Sequence, residues 1–407
     1  MDASQGPEAE LRARIRHKGP ITFAEFHEVA LYWPFGGYYA SRGPQGVRSD
    51  FYTAPLTHPV FGALLGRQLA QMWRLVGAPS HFWTVEPGAG SGRLGADLEE
   101  HARSIDPAFS RALRYVGIDL LSPDGPLPAA LQWLRSSGLP ARRLEGCVVA
   151  NELLDAMPVH RVLKQAGRLW EVLVTLDSHD RFVEVVGEPS TPALAQRFEA
   201  LGVELPDGFR TEVNLGLAKW LQETFEALSR GYVLLMDYGH EAATLYDASR
   251  SRGTLRCYYR HTLNANPYQH VGDQDISVHV DFTSVRRAAE ALGFTVAGYA
   301  TQQEFLTNLG WPIYRADIVR RDGLTPQERR ANLRAMDALV NPEGMGGFKV
   351  MALSKGAPLS PLQGSMPADS LDGVRAPLAT RAHMHLWRSA AESGEGVGLP
   401  SWEELAR

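Results

Sequence analysis

At Gly88, Gly90 and Gly92 a glycine occupies every second position, directly after the strand-like stretch Phe82 to Val85 and before a helical pattern through Leu94 and Leu98 to Arg103. Glycines so spaced let the backbone turn sharply and let a ligand approach the main chain, while the following helix offers N–H groups unpaired in its first turn. Strand, glycine loop and helix in that order open an α/β layer with parallel strands. The pattern continues through strands at Tyr115 to Leu120, Cys147 to Ala150 (after a Pro/Gly-rich helical region), Tyr232 to Tyr238 and Phe348 to Leu353. Helices are expected at Leu215 to Leu228 and Val285 to Leu292, and a β-hairpin at Arg161 to Leu176 turns at Gly167. No internal repeat is found.

Upstream, residues 8 to 32 read as two helices, with Leu11 and Ile15 on one face, then Thr22 as N-cap and Glu25 three residues on. An aromatic loop, Tyr32 to Tyr39 and on through Asp50 to Pro55, leads to a helix from about His58 to Leu75. Its aromatics form either a satellite core or a substrate wall. The expected organisation is a helical cap over 1–80 and a ligand-binding α/β domain over 81–355, with inserted substrate regions at about 160–212 and 240–280. A partly disordered or docking extension follows over 356–407.

The 407 residues are 44% hydrophobic and 21% charged, with a net charge of -5, which excludes a disordered chain and argues against a nucleic-acid binder driven by bulk charge. No stretch approaches the roughly 18 apolar residues of a membrane span. Cys147 and Cys257 show no CxxC spacing, which disfavours a structural metal site and a disulfide framework. With an amino terminus unlike a secretory or transit segment, they point to a cytosolic (cytoplasmic) location.

Two cofactors compete for the glycine loop. Gly90-Ser91-Gly92-Arg93-Leu94-Gly95 fits the dinucleotide pattern, with Asp119 further on. S-adenosylmethionine (SAM) is preferred because Glu86 stands at the strand end just before Gly88: a carboxylate suits a sulfonium or ammonium and repels a pyrophosphate. Asp119, ending the second strand, is placed to accept from both ribose hydroxyls. A later strand ends in Asn151-Glu152 and continues to Asp155 and His160. An amide and carboxylates there suit orientation of a nitrogen acceptor for in-line attack, and His160 suits proton uptake. The competing reading makes Asn151 and Asp155 helix caps. Asp237, His261 and His279, near expected loop tips, read as structural hydrogen-bonders; His383 and His385 form a weak metal pattern.

The order of these motifs resembles the MidA family of class I SAM-dependent methyltransferases. The resemblance rests on Ile21 to Tyr32 with Gly37-Tyr38-Tyr39, Asp50 to Pro55, Glu86 to Leu94 and Asn151 to His160. It extends through Asp237-Tyr238-Gly239, Gly253 to Tyr258, Asp275 to Phe282 and Met345 to Val350, covering most of 20 to 355. It implies a seven-stranded Rossmann-like sheet with an N-terminal helical cap and an insertion, SAM as cofactor, and Glu86, Gly88, Gly90 and Gly92 in the cofactor signature. The stretch holding Asn151, Glu152, Asp155, Pro158 and His160 matches one that lies by the family's cofactor cleft. From mitochondrial relatives that assemble respiratory complex I, it implies arginine methylation on a partner protein, a respiratory-complex subunit among the candidates. Leu56 stands where the family carries glutamate, Ser49 replaces a glycine, Ala54 a serine, and the stretch after Lys355 lies outside the resemblance. A non-catalytic scaffold, a small-molecule N- or O-methyltransferase and, more remotely, an NAD-dependent oxidoreductase remain alternatives.

Overall fold

A computed structural model describes residues 6–41, 53–123, 127, 131–139, 142–260, 262–366 and 374–383. Asp50 to Tyr52 of the aromatic loop, Ser49, His261, His385 and most of the expected carboxyl-terminal extension lie outside the described residues. The chain forms two units: one of Met1–Arg42, Leu153–Gln222 and Gly239–Ala289, the other of Gly43–Glu152, Glu223–Tyr238 and Glu290–Arg407.

The second of these, here the sheet unit, is built on a seven-stranded sheet. Its strands are β1 (Phe82–Pro87), β2 (Leu113–Asp119), β3 (Leu131–Arg135), β4 (Leu144–Asn151), β5 (Leu228–Asp237), β6 (Thr295–Thr301) and β7 (Lys349–Lys355). They lie in the order 3-2-1-4-5-7-6, with β1 to β5 parallel and β7 antiparallel to both neighbours. This is the seven-stranded Rossmann-like α/β sheet that the resemblance implies. Its middle strands are covered on both faces, so Val148, Val149, Val233, Leu234, Leu235 and Met236 run as continuous apolar stretches, each fully buried. The helices Val60–Leu75 and Arg93–Ile105 bury Leu64, Leu69, Leu94 and Leu98 in the same core.

Two strands of this sheet differ from the sequence reading. The Pro/Gly-rich stretch before Cys147 was expected to be helical, yet its 131–135 part is β3, and β6 comes from a stretch with no strand pattern. Both are edge strands, half-exposed, and β6 carries a register shift at Val296/Gly298, so neither shows a clean apolar period.

The other unit carries a five-stranded antiparallel sheet in which the hairpin His160–Gln165/Arg168–Leu176 pairs with Ile21–Thr22, Phe182–Gly187 and Arg210–Val213. Ala166 and Gly167 both have positive φ, 51° and 73°, the geometry of a type I′ turn. Thr22 caps the Phe23–Tyr32 helix by accepting from the Glu25 amide, as expected. Phe23, Phe26, Leu31, Val174, Cys257 and Ile276 form one of this unit's cores. No helix among the described residues is long and apolar enough to cross a membrane.

Candidate active site

In the sheet unit β1 and β4 are neighbours, and the chain leaves them toward opposite edges of the sheet. Open α/β sheets take ligands outside the carboxyl ends of the strands at such a switch point. β1 delivers the glycine loop, in which Gly88, Gly90 and Gly92 have φ of 71°, 55° and 71°, a region that strains any residue with a Cβ. The loop amides are used within the protein. Gly88 and Ala89 donate to the Ile118 carbonyl at 2.8 and 3.1 Å, Gly92 to the Ala89 carbonyl at 2.8 Å, and Gly90 to Asp119 Oδ2 at 2.8 Å. A pyrophosphate loop works by offering those amides to the ligand. Here they are committed, which disfavours the dinucleotide alternative.

Two acids flank the loop. Glu86 is 4% exposed and accepts from the Tyr115 hydroxyl at 2.7 Å. Burial pushes its carboxyl up to about 8; the Tyr115 hydrogen bond opposes the shift and the Asp119 charge adds to it. A cation placed against this group returns it to its charged form. Asp119 is also raised, by burial against the pull of three backbone donors: Gly90 on one oxygen, Leu120 at 2.7 Å and Leu121 at 3.4 Å on the other. Three of a carboxylate's roughly four acceptor positions are therefore occupied. Asp119 anchors the glycine loop before it meets any ribose, which the sequence reading did not foresee.

At the end of β4, Asn151 is buried and donates from Nδ2 to Glu152 Oε1 at 3.1 Å; the Ala54 amide donates to the same oxygen at 3.1 Å. Glu152 has φ of 49°, left-handed and uncommon for a residue with a Cβ, and its amide is held by the Met236 carbonyl at 2.8 Å. Strain kept in place by surrounding bonds is a common mark of a functional position. Asn151 thus serves Glu152 rather than capping a helix: no helix follows β4 directly. At the end of β5, Asp237 accepts from the next amide, Tyr238, at 2.9 Å, a local turn.

Asp155 and His160 belong to the other unit. Asp155 is buried, its carbonyl accepts from the Val278 amide at 3.0 Å, and its charge helps raise the Tyr39 hydroxyl after burial and Asp275. His160 Nδ1 lies 2.7 Å from Glu171 Oε1, and Glu171 is fully buried and also accepts from the Ser190 amide at 2.6 Å. Burial works to raise Glu171, but these hydrogen bonds outweigh it and hold it below its ordinary value. Glu171 and Tyr115 escaped the sequence reading. A tyrosine two residues out of register with Glu86 on the adjacent strand, hence on the same face, was the available signal for the second.

Residues 64–300 match the model of a family described as "Putative S-adenosyl-L-methionine-dependent methyltransferase". The chain belongs to that family. Among its relatives, the mitochondrial protein arginine methyltransferase NDUFAF7 homolog of Drosophila melanogaster is 30% identical, over 85% of this chain and 84% of the relative. The mitochondrial protein arginine methyltransferase NDUFAF7 of Homo sapiens is 28% identical, over 83% and 80%. A Burkholderia thailandensis protein crystallised with S-adenosyl-homocysteine is 32% identical, covers 88% of this chain and 94% of its own, and superposes with a TM-score of 0.77. The protein is a SAM-dependent methyltransferase.

The cytoplasmic expectation is overturned, because these curated relatives are named as mitochondrial. The expectation had leaned on Cys147 and Cys257, both buried free thiols, which do not say which membrane encloses the protein.

The residues present fit SAM: three left-handed glycines, a helix beginning at Arg93 whose N-cap, Gly92, offers no side-chain cap, and a buried acid that a cation would ionise. Among the described residues no group of three or more His, Cys, Asp or Glu is arranged to hold a metal ion.

Proposed function

We propose that this methyltransferase moves the methyl group of SAM to a guanidinium nitrogen of an arginine side chain on a partner protein. Among partners, a respiratory-complex subunit is the class the family resemblance puts first. The observation that carries the reading is the carboxylate of Glu152, presented at the end of β4 with Oε1 accepting from Asn151 Nδ2 and from the Ala54 amide. The arginine assignment is supported by the name of the relatives, protein arginine methyltransferase.

Bound SAM supplies an activated methyl on a sulfonium. As the nitrogen–carbon bond forms and the sulfur–carbon bond breaks, its electron pair stays on sulfur and the nitrogen gives up a proton. A guanidinium stays protonated at neutral pH, so its nitrogen is a poor nucleophile until carboxylates accept its N–H groups and hold it in line. Glu152 takes that part, Asn151 keeps it in place, and Glu86 meets the cationic end of the cofactor. Asp155 and His160, the latter oriented by Glu171, belong to the other unit and are given no part in this step.

The test is transfer of radiolabelled methyl from SAM into arginine-containing peptides and lysate protein. Glu152→Gln is expected to lower turnover by about 100- to 1,000-fold with SAM affinity within about twofold. Label confined to small molecules, or loss of cofactor binding in the variant, would overturn the reading.

A further inference from the structure

The segment 374–383 packs within the sheet unit and ends its described course on His383, which is 1% exposed. His383 Nε2 lies 2.8 Å from Oδ2 of Asp97, itself 2% exposed. The Thr380 amide donates to Nδ1 at 3.3 Å, with the Thr380 hydroxyl 2.9 Å from the same nitrogen. Nδ1 therefore accepts, and Nε2 carries the hydrogen that Asp97 accepts.

Asp97 sits in the first turns of the Arg93–Ile105 helix, and its other oxygen is 3.4 Å from Arg93, the residue that follows Gly92. The Val60–Leu75 helix reaches the same side chain through Gly62, where a Cβ would stand 2.8 Å from Asp97 Cβ. A second anchor is the Ala379 amide, which donates to Asn332 Oδ1 at 2.8 Å; that oxygen also accepts from His58 Nε2 at 3.0 Å. His58 directly follows the Ala54–Thr57 helix, whose first amide donates to Glu152. One segment thus reaches both the helix of the cofactor loop and the peptide that holds Glu152. Burying a carboxylate and an imidazole is costly unless they are paired, so the contact is fixed geometry rather than a passing surface bond.

We propose that His383 is a positioning residue for cofactor binding: through Asp97 it fixes the start of the glycine-loop helix, so that docking of 374–383 and binding of SAM favour one another. Such coupling is reciprocal.

In the full-length protein, His383→Ala is expected to weaken S-adenosyl-homocysteine binding and raise the KM for SAM by about five- to tenfold, with kcat at saturating SAM within about twofold. His383→Gln, which keeps an N–H donor, recovers most of the loss, and Asp97→Asn adds little once His383→Ala is present. A merely structural contact would lower the unfolding midpoint and leave the KM for SAM unmoved. Wild-type affinity in folded His383→Ala would overturn the proposal. Should that variant not fold, hydrogen exchange on the wild type decides. S-adenosyl-homocysteine is expected to slow exchange of the Ala379 and His383 amides about five- to tenfold. Protection of Arg93–Ile105 with no change at those two amides would overturn it equally.

Discussion

In the sheet unit the two acids that flank the glycine loop are met by neutral donors: Glu86 by the Tyr115 hydroxyl, Asp119 by the amides of Gly90 and Leu120. In the other unit, Glu184 is met by Arg161, Arg210 and the Tyr268 hydroxyl, and Asp180 by Arg12 and Arg16. Both arrangements satisfy the oxygens, but only the second cancels the charge. A carboxylate held by amides or hydroxyls remains a partner for a cation, whereas one held by arginines is a cross-link. The kind of donor separates acids kept for a cationic ligand from acids that tie strands together.

The largest effect should come from breaking a cross-link. Arg161 is 11% exposed at its side chain and faces Glu184 and Glu212. Arg161→Met leaves both acids short of a cation and is expected to cost about 3 kcal/mol in urea unfolding, with S-adenosyl-homocysteine affinity retained in the folded protein. Loss of cofactor affinity there would erase the distinction. Gly90→Val forces a β-branched residue to φ near 55° and is expected to weaken SAM about 100-fold by calorimetry while the apolar strands stay folded.

Next comes pH. With the Glu86 carboxyl pushed up to about 8, cofactor affinity should rise by up to tenfold per pH unit from pH 6 and level off above 8, because binding a cation releases the proton. For the free protein the sign reverses. A folded value above the ordinary 4.5 means that stability is fully present below pH 4.5 and declines as pH rises toward 8. Glu86→Gln should flatten both slopes. Smallest is Tyr115→Phe: it removes the donor that favours ionised Glu86, moves the binding midpoint upward by less than about one pH unit and weakens SAM a few-fold at pH 7. A downward shift would mean that the hydroxyl does not stabilise the charged acid.

Much of the sheet unit was legible from the sequence because its information is local. The apolar run at Cys147 to Ala150 and the alternating glycines each specify a conformation without help from distant residues. The edge strands were not, since an edge position is half-exposed and 131–135 has no alternation to show. Of the candidate site, the positions of its acids along the strands were legible. Glu86, Asp119, Asn151 and Glu152 stand at strand ends, where a sequence reading looks. The sequence presents Asn151 to His160 as one cluster, yet the chain passes from one unit to the other after Glu152. What holds each acid was hidden, because Ala54, Tyr115 and His383 are remote in sequence and only folding brings them to their partners.

The backbone at Glu152 has a further consequence. A left-handed residue with a Cβ costs about 1 kcal/mol that glycine would not, but Glu152→Gly also strips the acceptor from Asn151 Nδ2 and the Ala54 amide, so the substitution is expected to give no gain in melting temperature. On the proposed role that protein would be inert. The strained backbone and the bonds to its side chain are therefore not separable by substitution, and a laboratory selection that rewarded heat resistance alone would find no easy path to glycine here.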